Sequence, residues 1–171
     1  DTLDDLLEAS VEHRCITTQI MLLNHAIGVM KASRLLLLTG HIVAAMSCLR
    51  TCYEAFQNAH TCAVVDEQAI RFLTGKVINK KVKITTPSQL EDDTAKEVKN
   101  VLSDIAVHPS YRSLENQGYF EGSIFNEENK VTYEFLFLRS LWSFLVIQSY
   151  LLGYLIERWP NLIKEIPNII Q

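Results

Sequence analysis

The sequence predicts an all-α fold, an up-and-down helical bundle of four to five main helices with two long loops, and three observations carry that expectation. Apolar residues recur at steps of three and four over stretches far longer than a strand. Only four prolines and six glycines occur in 171 residues, too few to punctuate the turns of a β-sandwich or barrel. A hydrophobic share of 48% against 21% charged residues is enough to bury a core as one domain, 1–171.

Each element follows from local chemistry. Asp1, Asp4, Asp5 and Glu8 suit the positive end of a helix dipole, and Ile16, Ile20, Leu23, Ile27 and Met30 continue the helical spacing. One helix is expected from Thr2 to about Leu38, or two with a joint near Gly28, stopped by Thr39-Gly40. A second runs from His41 to about Val65. Its residues His41, Ala45, Cys48, Cys52, Ala55, Ala59 and Cys62 form a mostly small stripe beside a large one of Ile42, Met46, Leu49, Tyr53 and Phe56. Small residues let a neighbouring helix come close, so a tight helix pair is expected, and with it a homo-oligomer formed through a helical face.

Asp66 is expected to cap a short helix, Glu67 to Leu73, that Gly75 ends. Lys76 to Gln89 reads as the first long loop, with a small hairpin around Val82 to Thr85. Ser88 caps a helix from about Leu90 to Val107, which Pro109 terminates. Ser110 to Lys130 lacks any helical period and forms the second long loop. The last long helix spans about Val131 to Arg158, ahead of Pro160 and a short tail carrying Leu162, Ile163 and Ile166. Its uncharged stretch Ser140 to Ile156 is near the length of a membrane span. Ser140, Ser143, Gln148 and Ser149 interrupt it at different angles, so a helix buried on most sides of a soluble bundle is expected, without a membrane.

The chemistry is sparse. A net charge of -4 and a pI near 5.7 give no general pull on phosphate backbones, so RNA as a partner has no support from charge. Cys15, Cys48, Cys52 and Cys62 lie in apolar helical sequence without a CxxC pair, which fits reduced core thiols and a cytoplasmic setting. His41, Cys48 and Cys52 share a face but lack the short ligand pairs of a metal site, and neither metal nor cofactor is expected. No phosphate loop, dinucleotide fingerprint, zinc-helix motif or nucleophile elbow occurs.

Two polar groups stand out. Ser47, Arg50, Glu54, Gln57, Asn58 and Thr61 form a polar line on the second long helix. It is either a solvated face, with an Arg50–Glu54 pair worth roughly a few tenths of a kcal/mol, or a ligand- or partner-binding line through Arg50, Glu54 and Asn58. His108 sits where a helix meets Pro109, beside the second loop. It suits either a dipole-bound histidine or a general acid/base.

The run Lys99-Asn100-Val101-Leu102-Ser103-Asp104-Ile105-Ala106-Val107-His108 resembles the signature region of HEPN-like helical bundles, in which an arginine, a polar residue, three others and a histidine lie near a helix end. The resemblance implies a small, often dimeric α-bundle. Many such domains are metal-independent RNases or toxins paired with nucleotidyltransferase-like antitoxins. His108 matches the histidine and Asp104 the polar residue, while Ser103 stands where the arginine should, with Arg112 or Arg50 left to restore its charge. Serine cannot stabilise phosphate charge as arginine does. The resemblance therefore implies an interaction or regulatory module lacking an intact RNase motif, ahead of a working RNase and of a small-ligand-binding bundle.

Overall fold

Thr2 starts the first helix with a reciprocal cap. Its hydroxyl oxygen accepts from the Asp5 amide at 3.2 Å while the Asp5 carboxylate accepts from the Thr2 amide at 2.8 Å, which is a capping box. In this computed structural model, which describes residues 2–79, 81–82, 100 and 127–159, the chain is an all-α helical bundle. Five helices are traced: α1 (Leu3–Glu8), α2 (Val11–Leu38), α3 (Ile42–Val64), α4 (Asp66–Leu73) and α5 (Glu127–Arg158), with no strand among the described residues.

The first expected helix is thus two, but the joint lies at Ala9-Ser10 and not at Gly28. Ser10 makes it by capping α2, its hydroxyl accepting from the His13 amide at 3.3 Å. Gly28 leaves α2 unbroken. It faces solvent between the buried Ala26 and Met30, so core packing on the other face holds the helix through it.

Two helices end on the same device. Gly40 sits at φ +82°, its amide donating to the Leu37 carbonyl at 3.1 Å and the His41 amide to Leu36 at 2.8 Å. Gly75 sits at φ +72°, with its amide on Phe72 at 3.0 Å and the Lys76 amide on Arg71 at 2.7 Å. Both are Schellman caps, whose left-handed residue favours glycine. In each, the preceding threonine hydroxyl bonds back to a last-turn carbonyl, Thr39 to Leu35 at 3.0 Å and Thr74 to Ile70 at 2.9 Å.

The chain divides into two compact units, Asp1–Lys31 with Thr51–Ile84 and Ala32–Arg50 with Thr85–Gln171. In the first, Leu22, Leu23 and Ala26 of α2, Cys52, Phe56, Ala59 and Cys62 of α3, and Ala69 of α4 are buried. In the second, Leu37, Met46, Leu49, Phe144, Ile147 and Leu151 are buried, and the Ser33 hydroxyl donates to the Ala45 carbonyl at 2.9 Å. A serine against an alanine lets the α2 and α3 backbones approach, as the small-residue stripe predicts. That stripe is buried at Ala45, Cys52, Ala55, Ala59 and Cys62, while Cys48 is half-buried and His41, outside α3, is exposed.

Three boundaries differ from the sequence reading. Asp66 is the first residue of α4 and not its cap: Val65 takes the cap position without a side-chain bond. α5 begins four residues early, inside the expected second loop, where Glu127 and Glu128 suit a helix start in sequence terms. The start of the first loop is tied down rather than free, with Ile78 buried, the Asn79 amide on Gln68 at 3.1 Å and the Val82 amide on the Thr61 hydroxyl at 3.1 Å. Most of the expected hairpin, the Leu90 to Val107 helix, the rest of the second loop and the tail lie outside the described residues.

Candidate functional site

The most fully built polar constellation is one that the spacing did not announce. Arg14, on the first turn of α2, places Nε 2.7 Å and Nη2 2.8 Å from the two carboxylate oxygens of Asp66. Its Nη1 donates to the carbonyls of Leu7 at 2.7 Å and Ala9 at 3.1 Å, at the end of α1. The guanidinium therefore clamps three helices, α1, α2 and α4. Planar, bidentate pairing of this kind is what arginine does and lysine cannot.

The electrostatics follow the geometry. The hydrogen bonds from Arg14 hold the Asp66 carboxyl below the usual carboxylate range, against the opposing effect of burial. The Cys15 sulfur lies 3.9 Å from Asp66, and burial, then the nearby carboxylate, push its thiol up. Cys52 and Cys62 are buried deeply enough that their thiols are pushed up to about 12. All four cysteines are free, and a thiol held protonated is a poor nucleophile and a poor metal ligand. Among the described residues no group of three or more His, Cys, Asp or Glu is placed to hold a metal ion.

The polar line on α3 is not one solvated face. Arg50 and Glu54 are half-buried and each is already engaged in an interaction of its own. Gln57 donates to the Tyr53 hydroxyl at 2.9 Å. Thr61 is fully buried, donating to the Gln57 carbonyl at 2.9 Å while receiving the Val82 amide. The Asn58 Oδ1 is buried without a hydrogen-bond partner among the described residues, as are the Thr18 and Ser140 hydroxyls and the Gln68 Nε2. Of the three expected ligand- or partner-binding residues, Arg50 belongs to the second compact unit and Glu54 and Asn58 to the first. The candidate catalytic residues Asp104, His108 and Arg112 lie outside the described residues.

Comparison with protein-family models, with curated proteins and with solved structures finds no match to this chain. What it exposes is then the remaining guide.

α2 and α5 are both long and apolar enough to cross a membrane. Their outer faces differ. α2 exposes Asn24, His25, Lys31 and Arg34 among its apolar residues. α5 buries Ser140, Ser143, Phe144, Ile147, Leu151 and Tyr154 along one side and exposes Leu138, Trp142, Leu145, Leu152 and Ile156 along another. From Phe137 to Arg158 the last helix is therefore buried along one side and exposed along another, where the sequence leads one to expect burial on most sides. Sequence alone cannot divide two apolar stripes on one helix into inner and outer, because both carry the same period.

Proposed function

We propose that this chain is a non-catalytic interaction or regulatory module, a HEPN-like helical bundle that has lost the arginine of its RNase motif and works by presenting a helical face to a protein partner. The observation that carries the reading is α5, which already buries one apolar stripe and holds a second in solvent. Apolar side chains aligned in a continuous exposed stripe are the usual mark of a docking surface. The polar groups point the same way. Arg14 and Asp66 hold helices together, and the buried thiols of Cys52 and Cys62 are kept protonated. Four free cysteines fit a reducing, cytoplasmic compartment.

The deciding experiment is an RNA cleavage assay on the purified chain and its His108→Ala variant. The expected outcome is no cleavage that depends on His108, with the fold and assembly of the variant unchanged. Cleavage of single-stranded RNA by the parent chain, abolished in His108→Ala, makes the protein a working RNase and ends this reading.

A further inference from the structure

The turn that joins α2 to α3 carries the two most exposed leucines among the described residues. Leu38 is 72% exposed and Leu35 64%, on the last turn of α2 just ahead of Thr39-Gly40. Three residues apart, they stand about 60° from each other around the helix and so share one face. The polar backbone of a turn ordinarily keeps it in water, but here it is satisfied from within. The amides of Thr39, Gly40, His41 and Ile42 donate to the carbonyls of Leu35, Leu37, Leu36 and Gly40 at 2.8 to 3.1 Å, and the Thr39 hydroxyl donates to Leu35. A turn closed on itself in this way enters an apolar layer without giving up those hydrogen bonds.

Charge identifies what the turn meets. No aspartate or glutamate occurs between Glu12 and Glu54, in a chain whose net charge is -4. Within that stretch Lys31 and Arg34 are exposed, and neither makes a hydrogen bond or ion pair among the described residues. Both fall on the arc of α2 that carries Leu35 and Leu38, set back from Leu38 along the axis by about 6 Å for Arg34 and about 10 Å for Lys31. An apolar tip with cations one and two turns behind it matches a lipid surface in depth. The leucines reach about 5–10 Å into the headgroup and acyl boundary, while the long basic side chains stay with the phosphates. A nucleic acid would suit the cations but gives the leucines nothing to bury against. Burying the whole of α2 in hydrocarbon would strand the exposed Asn24 and His25 as well.

We infer that the α2–α3 turn docks this chain on an anionic phospholipid surface, with Leu35 and Leu38 entering the interface and Lys31 and Arg34 meeting lipid phosphates. The contact is peripheral: neither α2 nor α5 crosses the bilayer. Two leucines and two cations make a weak, reversible attachment that depends on lipid charge. The inference goes beyond the interaction-module reading and does not depend on it, since an RNase could dock through the same turn.

The test is co-sedimentation of the full chain with vesicles of phosphatidylcholine alone and of phosphatidylcholine mixed with phosphatidylglycerol, with circular dichroism as a fold check. The parent chain is expected to pellet with the mixed vesicles, to stay in solution with the neutral ones, and to be released by about 1 M salt, where the screening length is about 3 Å. Leu38→Asp is expected to weaken binding roughly tenfold or more, and Arg34→Gln about fivefold. Both positions are exposed, so the helical spectrum should not change. Leu145→Glu, on the outer face of α5, is expected to bind like the parent. Arg34→Gln keeps the test open if Leu38→Asp fails to fold. A parent chain that ignores the mixed vesicles overturns the inference, as does equal binding to neutral vesicles that salt does not release. Binding that survives Leu38→Asp but is lost in Leu145→Glu moves the contact to α5 and also overturns it. Vesicle binding with His108-dependent RNA cleavage upholds the docking and removes the functional reading; a chain with neither does the reverse.

Discussion

Thr18 has no solvent exposure, and its hydroxyl has no hydrogen-bond partner among the described residues. Withdrawing a hydroxyl from water without replacing its hydrogen bond is unfavourable, and removing it while keeping the shape relieves that cost. Thr18→Val is therefore expected to leave stability unchanged or raise it by up to about 1 kcal/mol, as read from the midpoint of urea unfolding. Loss of more than that amount would show that the hydroxyl is bonded in solution. Thr61, equally buried, is the contrast: its oxygen both donates and accepts, so the two threonines look alike in composition and differ entirely in what they hold. The Arg14–Asp66 clamp belongs to the same scale. It joins residues with no periodic relation, and Asp66 at the head of a helix reads in sequence as an ordinary cap.

The helices themselves were the most legible part. α3 runs from Ile42 to Val64 as its three-and-four spacing requires, and the Thr-Gly pairs at 39–40 and 74–75 stop α2 and α4 through bonds made within each helix's own last turn. Local signals of this kind need no tertiary context. The break at Ala9-Ser10 and the early start of α5 were less legible, because a serine cap or a pair of glutamates has several compatible placements. The candidate sites were the least legible, since both the clamp and the outer face of α5 depend on which helices become neighbours. The close packing of α3 has a direct test. Ala55 is 6% exposed on the small-residue stripe, and Ala55→Leu is expected to cost about 1–3 kcal/mol through overpacking. A chemical denaturation midpoint equal to that of the parent would place that side chain against open space.

For the molecule as a whole, stability should be bounded by acid on one side and base on the other. Asp66 has its carboxyl lowered by Arg14, so its contribution is present above the usual carboxylate value, ~4, and is lost as pH falls through the still lower folded value. The Tm of the parent chain should fall between about pH 5 and pH 2. Asp66→Asn should start several degrees lower at pH 6 and decline less over the same window; parallel curves would remove the clamp from the account. Cys52 and Cys62 act in the opposite sense. Their thiols are raised to about 12, so their contribution is complete below the unfolded thiol value and is lost as pH rises towards the folded one.

The clamp has one more consequence. Arg14 meets its carboxylate 52 positions further along the chain. During synthesis, the six residues of α1 emerge ahead of α2, α3 and α4, yet the arginine that grips the Leu7 and Ala9 carbonyls lacks Asp66 until α3 has been completed and α4 has begun. The full grip on α1 in this way waits for a residue that the ribosome reaches only after three more helices have begun.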